Sequence, residues 1–71
     1  MDAFLENMYN IIKSSIELED EDAIVFLQEL RHKLENRKYR WAFLCIHKFR
    51  ENHKLEINEN ILEKFWWDYA N

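Results

Sequence analysis

The stretch Tyr39-Arg40-Trp41-Ala42-Phe43-Leu44-Cys45-Ile46-His47-Lys48-Phe49-Arg50-Glu51-Asn52 decides the fold. Its middle, Trp41 to Ile46, is an unbroken apolar run that on local grounds suits a buried strand. The flanks point the other way. Tyr39, Ala42, Phe43, Ile46 and Phe49 recur at the three- and four-residue spacing of a helix face, without the alternation of a strand. No other segment reads as a partner strand. Trp41, Leu44 and Cys45 add apolar surface on a second side, so the segment reads as a central helix, the most enclosed in the fold.

The same period extends in both directions. Upstream, Ala23, Phe26, Leu27, Leu30 and Leu34 line one face of a helix over about 21–36. Asp20 is placed to cap it, Glu21 and Asp22 fill its first turn, and Arg31, His32 and Lys33 fall near its end, as the helix dipole favours. Asn36 to Lys38 reads as a turn with Asn36 just past the helix end. One helix running from 21 to 52 is the alternative, because no residue there forbids continuation. The first helix is expected over about 2–16, with Phe4, Leu5, Met8, Ile12 and Ile16 inward and Ala3 and Tyr9 widening the stripe. Glu17 to Asp22 reads as a break. After a connection over 52–58, Asn58 caps a last helix over about 59–70, with Ile57 stapled onto Leu62 and with Ile61, Leu62, Phe65, Trp66 and Tyr69 inward.

The fold class is therefore all-α, a single domain built as a compact bundle of three to four short helices. The 71 residues include no Gly and no Pro, which argues against hairpins, whose tight turns favour positive φ. A chain of this length buries only about 60% of the surface it exposes when unfolded. An aromatic content of 15% makes a core feasible, and self-association is one way to add burial.

Charge is segregated along the chain. Residues 1–30 carry eight acids and one base, residues 31–54 eight bases and two acids, and residues 55–71 four acids and one base, for a net −4. Pairing between the acidic and basic segments, within one molecule or between two, would account for this. The lone Cys45 excludes an internal disulfide. No apolar run approaches the roughly 20 residues of a membrane span, and the N-terminus lacks a basic segment followed by an apolar one. A cytoplasmic location and no membrane partner are expected.

Catalysis, cofactor binding and metal binding have little support. Cys45 and His47 lie two apart, His47 and His53 six apart, and His32 stands alone, so no pair has a helical ligand spacing. On a helix, His47 points about 200° away from Cys45. With no Gly there is no phosphate-cradling loop. The chain is expected not to be an enzyme and to hold no cofactor or metal.

The functional signal lies in the aromatics. In Phe65-Trp66-Trp67-Asp68-Tyr69, adjacent residues diverge by about 100° around a helix, so Trp66 and Trp67 cannot both face one neighbour. Trp41 likewise points away from the centre of its own stripe. Large aromatics are enriched where proteins bind one another, and Trp41, Trp66, Trp67 and Tyr69 are the expected protein-interaction residues. A small interaction module follows, a regulator or inhibitor of another protein, with a homodimer as one explanation of the surplus apolar surface. Size and composition also fit an accessory protein of a phage or mobile element. The alternative is a nucleic-acid-binding protein that uses Arg37, Lys38, Arg40, Lys48 and Arg50 of the basic segment 31–54.

Overall fold

The break at 36–38 is present, and it sets the architecture. In the computed structural model, which describes residues 1–17 and 19–71, the chain forms α1 (Ala3–Ser14), α2 (Glu21–Glu35), α3 (Tyr39–Asn52) and α4 (Glu59–Phe65). A π-helical turn (Trp66–Ala70) extends α4. Residue 18, inside the break expected over 17–22, lies outside the described residues.

The continuous helix over 21–52 is excluded by the backbone. Arg37 has φ 58°, the left-handed conformation that ends many helices. The Lys38 N–H donates to the Lys33 carbonyl at 2.8 Å, and the Arg37 N–H to the Leu34 carbonyl at 3.3 Å. These are the two bonds of a Schellman cap, which satisfies carbonyls the helix end would otherwise leave open. Asn36 is the last helix-like residue at φ −97°, so the left-handed position falls on Arg37 and not, as expected, on Asn36. The Asn36 amide instead donates back to the His32 carbonyl at 2.7 Å.

Three helix starts and the end of α1 follow from short polar side chains, whereas α3 starts after Lys38 with no side-chain cap. Asp2 accepts from the Leu5 N–H, Asp20 from the Asp22 N–H and Asn58 from the Asn60 N–H, each at 2.9 Å. At the end of α1, the Ser14 and Ser15 hydroxyls donate to the carbonyls of Ile11 and Ile12. These side chains compete with the next helical turn, and α1 stops at Ser14, short of the expected residue 16.

The core contains the inward faces of all four helices. Leu5, Met8, Tyr9 and Ile12 of α1 meet Ala23, Phe26, Leu27, Leu30 and Leu34 of α2, and Ala42, Ile46 and Phe49 of α3 join Leu62 and Phe65 of α4. Tyr9 is a buried core residue, whereas Ala3 is exposed. Leu55, in the connection before α4, is buried although no helical period marks it. Phe26 stacks on Phe49 with ring centres 4.1 Å apart, which fixes α2 antiparallel to α3. One expectation fails: α3 is not the most enclosed helix. Its second apolar side is open, with Trp41 and Leu44 both exposed.

Ion pairs explain part of the charge pattern. Arg31 reaches Glu6 of α1 at 3.1 Å and Glu35 at 3.3 Å, with its guanidinium over the Tyr9 ring. Arg50 joins α3 to Glu59 of α4. Bases of the middle segment thus meet acids of both outer segments within one molecule.

Arg37 identifies a weak point in the hairpin. A side chain in the left-handed region costs on the order of 1 kcal/mol, which glycine does not pay. Arg37→Gly, offset partly by the added freedom of the unfolded chain, is expected to stabilise the fold by about 0.5–1 kcal/mol. Thermal unfolding followed by circular dichroism should show a midpoint higher by several degrees.

Candidate functional site

The antiparallel α2–α3 pair has an inner and an outer side. Once Phe26 and Phe49 have met inside, the next residues round each helix flank an open groove of about 460 Å³. From α2 come Asp22, Val25, Glu29 and Lys33, one per turn. From α3 come Trp41, Leu44, Cys45 and Lys48. Val25 is 52% exposed, Leu44 53% and Trp41 63%, so the centre of the groove presents apolar surface to water. Acids and bases border it: Glu29 lies 3.9 Å from Lys33 on the same helix. Burial pushes the Cys45 thiol above its ordinary pKa, with Lys33 and Lys48 opposing the shift. At neutral pH it is a thiol, and a poor nucleophile.

The four aromatics expected to bind protein do not share one site. Trp41 stands in the groove. Trp67 is 62% exposed but does not line the groove. Trp66 and Tyr69 turn into the fold: the Trp66 ring packs 4.9 Å from Phe43, and Tyr69 lies between Phe4 at 5.7 Å and Tyr39 at 5.3 Å. The two adjacent indoles do diverge, one half-buried and one exposed. The α-helix expected to residue 70 instead widens after Phe65, and the Asn71 N–H reaches the Trp66 carbonyl at 2.7 Å. Ala70 is buried, and its carbonyl accepts from Arg40 Nε at 3.1 Å.

The basic residues are scattered as well. Arg37 and Lys38 are exposed at the α2–α3 turn, Lys48 borders the groove, Arg40 is bonded to the C-terminal turn, and Arg50 is paired with Glu59. Their chemistry is divided between internal bonds and surface, and no single stripe collects them.

Two features lay beyond sequence spacing. The first is the α2 contribution to the groove: Val25 sits outside the apolar stripe, and Glu29 and Lys33 read only as a helix pair. The second is Asp20, Asp22 and His53, whose ligand-type atoms lie within 4.8 Å of one another. His53 Nε2 is 3.5 Å from Asp20 and 3.7 Å from Asp22, and its ring stacks on Phe49. The three come from opposite ends of the hairpin sequence, so no local motif announces them. A metal at Nε2 would leave the ring proton on Nδ1, which is buried without a partner among the described residues. The cluster is better built as a latch between the start of α2 and the end of α3 than as a metal centre.

Comparison with models of protein families, with curated proteins and with solved structures yields no match. The functional reading therefore rests on the geometry of the groove.

Tyr69 also joins the two ends of the chain, its hydroxyl donating to the Asp2 carboxylate. The Leu5 N–H and then this hydroxyl hold Asp2 below the ordinary carboxylate pKa. The same bond pushes Tyr69 up to about 12. A raised tyrosine pKa means the folded chain keeps its proton longer than the unfolded one. The stabilisation is complete below the ordinary value of about 10 and is lost as pH rises towards about 12. Tyr69→Phe should flatten the decline in melting temperature across that interval, and NMR titration should show the Asp2 midpoint moving up, towards ordinary aspartate.

Proposed function

We propose that this chain is a protein-interaction module, a regulator or inhibitor that acts by occupying the surface of another protein, with the α2–α3 groove as its binding site. The observation that carries the reading is the exposure of Trp41 beside Val25 and Leu44, in a fold that packs most of its other aromatic rings. Contiguous apolar surface of this kind marks interaction sites on small soluble domains. An indole in a groove with a charged border is the usual composition of a binding hot spot. Burying apolar surface is worth roughly 25 cal/mol per Å², so a covered Trp41 would dominate the affinity. Trp67 offers a second, separate contact, whereas Trp66 and Tyr69 serve the fold.

The groove carries this reading further than the basic residues carry a nucleic-acid one, because Arg40 and Arg50 are already engaged internally. The test is affinity capture from the host with the wild type and with Trp41→Ala and Leu44→Asp variants. Both side chains are exposed, so helical circular dichroism should be unchanged. A protein enriched by the wild type and lost with both variants is the expected outcome. Enrichment unaffected by either change would contradict the assignment. Retardation of DNA or RNA at low salt that falls steeply with added salt and disappears in an Arg37→Ala, Lys38→Ala double variant would transfer it to nucleic acid.

A further inference from the structure

We infer that one occupant of the groove is a second copy of this chain, related to the first by a two-fold axis parallel to α2 and α3. This rests on the reading of the groove as an interaction surface and names its partner. Charge along the two borders of the groove selects the partner and its orientation. The α2 border of the groove carries Asp22 and Glu29, followed by Lys33 at the Trp41 end, and the α3 border carries Lys48. The helices are antiparallel, with Phe26 level with Phe49, so Glu29 and Cys45 stand at one height and Lys33 and Trp41 at another.

A surface that pairs with itself must satisfy each contact twice, residue i on j and j on i. Two orientations lay one α2–α3 face upon another. An axis across the helices sets α2 on α2 and brings the two Glu29 carboxylates, which lie near the middle of the α2 stripe, towards one another. An axis along the helices sets α2 on the partner's α3. Glu29 then lies a turn or less from the partner's Lys48, Lys33 approaches the face of the partner's Trp41, and Val25 and the partner's Leu44, about one and a half turns apart along the axis, are each covered by the opposing face. The second arrangement joins opposite charges, places a cation on an aromatic face and covers the three most exposed apolar side chains of the groove together. The result is a four-helix bundle made from two hairpins.

The size is adequate. A stable interface takes about 800 Å² from each partner, roughly a sixth of the 4940 Å² surface of this chain. Two adjacent helices about 22 Å long present a face on that scale. A chain this small also gains proportionally more than a large one from added burial.

Sedimentation of the intact chain from low to high micromolar concentration, in moderate salt, tests the inference. The mass should rise from 8.9 kDa towards twice that value. Leu44→Asp should hold it at the monomer value with unchanged helicity. Glu29→Lys and Lys48→Glu should each raise the dissociation constant about tenfold, a change of 1.4 kcal/mol, and the two together should restore association. Alkylation of Cys45, the sole thiol, should slow as concentration rises. A monomer at every concentration, a dimer indifferent to Leu44→Asp, or a double reversal no better than the single ones would overturn the inference. A monomeric chain whose captured partner is lost with Trp41→Ala and Leu44→Asp would sink the second copy alone and leave the interaction reading standing.

Discussion

The left-handed turn at Arg37 is the constraint on which the rest of this molecule depends. It folds the stretch 21–52 back on itself with only three residues between the helices, so Phe26 must meet Phe49. That contact divides each helix into two faces. Leu27, Leu30, Leu34, Ala42 and Ile46 go to the common core, and Val25, Trp41 and Leu44 are left on the outside. The groove is thus a consequence of the hairpin: a straight helix over the same residues would separate Val25 from Trp41 by more than 20 Å. The Schellman bonds from Lys38 and Arg37 substitute here for the glycine the chain lacks.

The two ends of the chain complete the other side. α1 covers the inner face of the hairpin with Leu5, Met8 and Ile12, and Arg31 ties it down through Glu6. α4 adds Leu62 and Phe65, and its last turn widens so that Ala70 is buried and its carbonyl is available to Arg40. Asp2 caps α1 and also receives Tyr69, so one carboxylate serves a helix end and the junction of the termini. Part of the charge segregation along the sequence is in this way matched within the molecule, and the groove keeps its own bordering charges of both signs.

Helix existence and type were legible because the apolar period is strong in every segment, and the capping roles of Asp20 and Asn58 follow from their chemistry, whereas Asp2, which the expected helix over 2–16 includes, caps α1 from outside it. The divergence of Trp66 and Trp67 needed only helix geometry. What sequence did not reveal has physical causes. The turn at 36–38 was ambiguous because Arg, not Gly or Asn, occupies the left-handed position. The enclosure of α3 was misjudged because a second apolar side says that something must cover it and not whether this chain does so. The inward side of Tyr69 follows from the helical period, but its bond to Asp2 at the far end of the chain has no local signal. Asp20, Asp22 and His53 meet only through the hairpin, and Leu55 is buried by a connection that has no period to read. For the groove, Trp41 was visible in advance, but Val25 was not, because its exposure depends on which helix lies beside it.

The most direct test of this account is a two-dimensional nuclear Overhauser experiment on a mixture of isotope-labelled and unlabelled chains, filtered to separate contacts within one molecule from contacts between molecules. The account predicts a strong intramolecular contact between the Phe26 and Phe49 rings, together with an interruption of helical connectivities at Arg37. Unbroken helical connectivities through residues 34–40, with the two rings in contact only between molecules or not at all, would contradict it, because the hairpin and the groove it creates would then not exist in a single chain.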